Sequence, residues 1–114
     1  NMDEGSRSFL ADRIQAELEN NAPIIVIHGT DTMDQSAQYC QQRIKDPRVP
    51  VVFTGAMKPV GFLDSDALQN VAEAFMAAQI LEPNFYISFH GKIFTANNAI
   101  KDKSFGTFIE KSKK

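Results

Sequence analysis

The sequence predicts a three-layer α/β domain on a mostly parallel sheet, N-terminally truncated and carrying a C-terminal β-hairpin. Three observations lead there. Short apolar runs at Ile24–His28, Val49–Phe53 and Phe85–Phe89 alternate with amphipathic helical stretches, the signature of crossover units and a layered sheet. The first two runs are rich in β-branched residues and sit behind Pro23 and around Pro50, as strands buried on both faces do. His90-Gly91 then offers a turn from Phe85–Phe89 into a returning Lys92–Thr95, which reads as a hairpin. A sheet of this kind is flavodoxin- or Rossmann-like, and right-handed crossovers are expected between its parallel strands. Doubly wound sheets ordinarily open on a strand. Here the first element is a helix, so a first strand is expected to be missing.

That helix spans Asp3 to Asn20, with Leu10, Ile14 and Leu18 in an i, i+4 stripe and Arg7, Asp12, Arg13, Glu17 and Glu19 on the other face. Asp3 or Ser6 caps its start, and Asn20-Asn21-Ala22-Pro23 stops it. The fully buried strand Ile24–His28 follows. Asp34 to Lys45 is a second helix facing inward through Ala37, Cys40 (or Gln41) and Ile44, with Thr32 or Asp34 as cap. Val49–Phe53 is a second buried strand, with Pro50 near its beginning, where a missing ladder donor is tolerated. Thr54–Asp64 reads as a Gly- and Pro-rich loop. Ser65–Leu81 is a long helix with Ala67, Val71, Ala74, Phe75, Ala78 and Leu81 inward, and Asp64 and Asp66 look like its caps. Beyond Ala96 the pattern weakens, and mostly irregular chain is expected from Asn97 onward.

Composition sets the limits of function. The 114 residues, 43% hydrophobic and 23% charged, suit one soluble domain, taken here as residues 1–114. A net charge of −2 gives no footprint for nucleic acid or an anionic membrane. Lys111, Lys113 and Lys114 read as a solvated end. No apolar run approaches the roughly 18 residues of a membrane span, and a single cysteine, Cys40, fits a reducing cytoplasm.

The chemistry-bearing residues gather where strands end. Thr30, Asp31 and Thr32 follow Gly29 at the carboxyl end of the first strand, where open α/β sheets place their ligands. They are either a site or simply caps for the next helix. Phe53-Thr54-Gly55-Ala56-Met57-Lys58-Pro59 repeats the design, and its Gly and Ala let backbone approach a ligand closely. Lys101 lies after the last strand beside Asp102. Buried next to a carboxylate and a hydroxyl, such a lysine can act as a base. His28 and His90 lack metal-ligand spacing and read as structural, Cys40 reads as core, and no nucleotide-binding glycine motif occurs.

Taken together, His28-Gly29-Thr30-Asp31-Thr32-Met33, Val52–Pro59, Ser65-Asp66-Ala67 with Asn70, Gly91-Lys92-Ile93-Phe94 and Lys101 resemble the N-terminal domain of bacterial L-asparaginases. The likeness runs from about Met2 to Phe108 and is greatest to short, asparaginase-like proteins without the family's C-terminal domain. It implies hydrolysis of a small amide of the L-asparagine class to the acid and ammonia, with no metal and no cofactor. By motif match it implies Thr30, Asp31 and Lys101 as the catalytic group, and Gly29, Thr30, Asp31 and Ala56 as substrate contacts. Asp31 would take the substrate α-amino group, Lys101 would be the base, and backbone near Thr30 and Ala56 would line the amide pocket. The family's attacking threonine lies in a T-G-G-T-I block on a flexible loop after its first strand, and this sequence contains no such block. The chain is therefore expected to hold one half of a two-threonine site and to be inactive alone. Ile24–Ile27 is then expected to offer an unpaired edge, so that the chain forms a homo-oligomer or is completed by further residues.

Overall fold

The computed structural model describes residues 3–57 and 65–111. Helix α1 (Glu4–Glu17) starts where the Asp3 carboxylate accepts the Ser6 N–H at 2.8 Å, as one of the two expected caps. It tightens into a 3-10 turn over Leu18–Asn20 and ends at Asn21, in the left-handed region with φ 55°. Strand β1 (Ile24–Ile27), helix α2 (Met33–Arg43), strand β2 (Pro50–Thr54), helix α3 (Ala67–Ala78), strand β3 (Asn84–Phe89) and strand β4 (Lys92–Thr95) follow in that order. The sheet runs β1-β2-β3-β4, parallel across the first three strands and antiparallel at the β3–β4 hairpin. The α/β class, the mostly parallel sheet and the hairpin are as the sequence predicts.

Alternation along each strand builds the layers. Val26, Val51, Phe53, Phe85, Ile87 and Phe89 face α1 and α2 in the larger core. Val52 and Tyr86 face α3 through Ala74 and Ala78. These faces make a helix–sheet–helix sandwich. They also correct the expected handedness. The crossovers β1-α2-β2 and β2-α3-β3 step the same way across the sheet, yet their helices lie on opposite faces. They therefore have opposite hands, and one of them departs from the right-handed rule.

Four further expectations change. The first strand is not fully buried: among the described residues β1 pairs only with β2, at the edge of the sheet, and Ile27 is 70% exposed. The expected open edge at Ile24–Ile27 is thus present. Phe75 faces solvent, because α3 lays a narrow stripe of Asn70, Ala74, Ala77 and Ala78 on the sheet and leaves the flanks outside. The chain after Ala96 is not irregular. A 3-10 turn at Ala96–Asn98 leads into β5 (Ala99–Asp102) and β6 (Thr107–Glu110), a second antiparallel hairpin anchored by Phe108 in the larger core. Finally, neither expected cap serves α2: Thr32 makes no side-chain cap bond, and Asp34 lies inside the helix. Lys58–Asp64 of the expected loop and Lys113 and Lys114 of the basic tail lie outside the described residues.

Candidate active site

The site forms at the carboxyl end of β1, where the chain leaves the sheet. His28 extends the ladder by donating its N–H to the Thr54 carbonyl at 2.9 Å. The chain then coils through a 3-10 turn at Thr30–Thr32 into α2. This turn buries Thr30 and leaves Asp31 in solvent. An open cavity of about 610 Å³ lies here, lined by Gly29, Thr30, Asp31 and Met57 with the edge of β1.

Lys101 comes to this turn from the second hairpin, 70 residues away in sequence. Its Nζ donates to Asp31 Oδ1 at 2.8 Å and, over a long 3.4 Å, to Thr30 Oγ1. The lysine side chain is only 12% exposed and the aspartate 74%. The hydrogen bond from Lys101, then its positive charge, holds the Asp31 carboxyl below its usual value of 3.8. The Thr30 hydroxyl donates to Met57 Sδ at 3.5 Å. Hydroxyl, carboxylate and ammonium are thus collected at one point, with the carboxylate facing open water. Ala56 lies half-buried in the turn between Gly55 and Met57, and it is Met57 that lines the cavity from there.

Of the neighbours that hold this cluster, Asp34 reads in the sequence only as a cap and His28 only as structural, and Ser36 and Gln38 carry no signal. Asp34 accepts the Gln35 N–H at 2.9 Å on one oxygen and the Lys101 backbone N–H at 3.2 Å on the other, so α2 fixes the strand that presents the lysine. Gln38 Nε2 donates to the carbonyls of Ala96 and Ala99, both at 3.0 Å. His28 Nδ1 lies 2.6 Å from the Gly29 carbonyl. A carbonyl only accepts, so Nδ1 carries the hydrogen. Its Nε2 meets the buried Ser36 hydroxyl at 2.9 Å, and Ser36 accepts from Arg7 Nε at 3.2 Å. Their partners Arg7, Ala96, Ala99 and Lys101 lie between 29 and 67 positions away, and each of these side chains is of an ordinary surface type. Cys40 is fully buried in the core, and burial pushes its thiol up to about 11. Among the described residues no group of three His, Cys, Asp or Glu is placed to share a metal ion, and no helix is long and apolar enough to cross a membrane.

Comparison with known proteins gives a consistent result. The family described as "Asparaginase, N-terminal" matches residues 1–110. The L-asparaginase of Thermococcus kodakarensis is 35% identical over 83 residues, which are 73% of this chain and 25% of that protein. The human 60 kDa lysophospholipase is 34% identical over 93 residues, 81% of this chain and 16% of that protein. In structure, the thermostable L-asparaginase from Thermococcus kodakarensis superposes with a TM-score of 0.91 at 27% identity, over 96% of this chain and 34% of the other. The chain spans a quarter or less of the length of these two curated relatives.

Proposed function

We propose, on the premise that the chain belongs to the asparaginase family, that it supplies the Thr30–Asp31–Lys101 part of an amidohydrolase site for a small amide of the asparagine class. One observation carries this reading: a single lysine Nζ lies within reach of both the Thr30 hydroxyl and the Asp31 carboxylate. A pair of caps for α2 would not need Lys101, and the geometry of capping is absent at Thr32.

The chemistry follows from the groups present. Asp31 is exposed and kept ionised by Lys101, so it can accept the ammonium of an amino-acid substrate entering from the cavity. That ammonium competes with Lys101 for the carboxylate. Lys101 then keeps the Thr30 hydroxyl as its partner, where a proton moves to or from a nucleophile. Thr30 relays between the two. Backbone N–H groups around Thr30 and Ala56 are the donors for the oxyanion on the amide carbon. Water adds across the C–N bond, and the products are the carboxylate and ammonia.

The sequence holds no T-G-G-T-I block, so in this reading Thr30 is the relay and the attacking threonine is not among these residues. A protein carrying both this chain and that block is expected to release ammonia from asparagine. Thr30→Ala or Lys101→Ala is expected to lower its kcat by about 10²–10⁴-fold, the usual worth of a positioned acid or base. No release from such a protein refutes the reading. The exposure of Asp31 beside the cavity also suits a second reading, a non-catalytic amino-acid-binding module that keeps Asp31 for the α-amino group. Calorimetry of the 114-residue chain with asparagine and aspartate separates them. Binding without turnover in any longer protein supports the module, and no binding by any form removes both.

A further inference from the structure

A second polar cluster lies on the far side of the Gly55–Met57 turn. His90 Nε2 is 2.7 Å from Asp66 Oδ2, and His90 Nδ1 is 3.0 Å from Thr107 Oγ1. The same Asp66 oxygen accepts from the Met57 N–H at 3.0 Å and from Asn70 Nδ2 at 3.1 Å. Asn70 is buried; it also donates to the Gly55 carbonyl at 2.9 Å and accepts the His90 N–H at 3.0 Å. The imidazole packs on Phe89 with ring centroids 4.1 Å apart.

The backbone marks His90 as unusual. It opens the β3–β4 turn at φ 49°, ahead of Gly91 at φ 77°. Two successive residues in the left-handed region make a turn that favours Asn-Gly, and histidine is among the few other residues that enter it readily. An asparagine would suit the backbone equally, but it is too short to span from Asp66 to Thr107. The imidazole has the length and two opposed nitrogens for that span.

We propose that His90 is a positioning residue that closes a ring of contacts around the candidate site. In one direction the ring runs through Asp66 to the Met57 N–H, and from Met57 Sδ to the Thr30 hydroxyl. In the other it runs through Thr107, which pairs with Asp102 in the β5–β6 ladder, to the adjoining Lys101 and back to Thr30. His90 is where the turn that carries Met57 meets the hairpin that carries Lys101. One of the links that set the separation between those two walls is then a side chain that touches neither Thr30 nor Lys101. The effect on a ligand rests on reading Thr30, Asp31 and Lys101 as a substrate site; the mechanical link does not.

The test uses the 114-residue chain with 13C-methyl methionine and 15N-lysine labels. Met57 reports on Thr30, Lys101 Nζ on the ion pair, and the buried core residue Met33 serves as internal control. His90→Asn is expected to shift both the Met57 methyl and the Lys101 signals while Met33 stays in place. Thr107→Val is expected to move the Lys101 signals, and Thr107→Ser to restore them. This pair keeps the link testable should His90→Asn fail to fold. Unmoved Met57 and Lys101 signals in a folded His90→Asn protein would overturn the proposal. So would a Met33 shift of equal size, which would indicate general loosening. Titration with asparagine forms a separate arm, where His90→Asn is expected to bind about three- to tenfold more weakly, the size of one lost hydrogen bond. If the 114-residue chain binds no asparagine while the shifts occur as expected, the role of His90 stands, and the proposed function is decided by ammonia release from the longer protein.

Discussion

Asp31 and Lys101 form an ion pair of unequal partners, one side chain 74% exposed and the other 12%. The pair lowers the Asp31 pKa from 3.8, which fixes the sign of an acid effect. A carboxyl depressed in the folded state contributes stability above its unfolded value, and the contribution fades as pH falls through the folded value. Wild-type protein is therefore expected to lose stability from about pH 4 downward, and Asp31→Asn to flatten that limb, in urea midpoints compared between neutral and acid pH. Gly55 is constrained differently. A Cβ added there would lie 2.2 Å from the backbone carbonyl oxygen of His28, and His28 is itself bonded to Thr54. Neither backbone can yield cheaply. Gly55→Ala is expected to cost about 1–3 kcal/mol, by the same urea titration. The sequence suggests that this glycine lets backbone approach a ligand closely, and in the structure the close partner is the His28 carbonyl of the chain itself.

Among the elements, the β5–β6 hairpin most affects the site, because it delivers Lys101. It had no legible pattern. Its inward residues are Ala99 and Phe108, one on each strand, so no run of alternation develops within either four-residue segment. What holds it is Phe108, which meets Phe89 edge-on with ring centroids 5.1 Å apart, and the Asp34 carboxylate on the Lys101 backbone N–H. Phe108→Ala is expected to cost about 3–5 kcal/mol in thermal or urea unfolding. Faster hydrogen exchange at the Lys101 amide is expected with it, since the hairpin loses its core anchor. Helix α3 shows the complementary case. Its period was legible, but the same period fits Phe75 inside or outside, and only the width of the small stripe facing Val52 and Tyr86 puts it outside.

The whole molecule has a radius of gyration of 13.3 Å, close to the roughly 13 Å of a compact domain of this length, yet one side of its sheet is open. The edge of β1, unpaired among the described residues, has the cavity of about 610 Å³ at its carboxyl end and another of about 450 Å³ along it. Ile27 stands exposed on that edge. Edges of this kind invite pairing unless a charge or proline blocks them. Sedimentation of the isolated chain is expected to show concentration-dependent association. Ile27→Lys is expected to reduce it, and a monodisperse wild-type monomer would contradict this expectation.

At this scale the division between chain and fold becomes clear. Period and punctuation in the sequence were enough for the α/β class, the parallel strands and the β3–β4 hairpin, and the resemblance of its motif blocks for the family, because each is written in residues close together. The motif also marked Thr30, Asp31 and Lys101 as candidates. Their meeting within one hydrogen-bonded cluster required the second hairpin, the opposite hands of the two crossovers and the network through Asp34, Asp66 and His90. Those depend on contacts between residues tens of positions apart, where one aspartate or histidine in the sequence looks like any other. Tertiary packing selects among them by burying some polar groups and requiring that each find a partner.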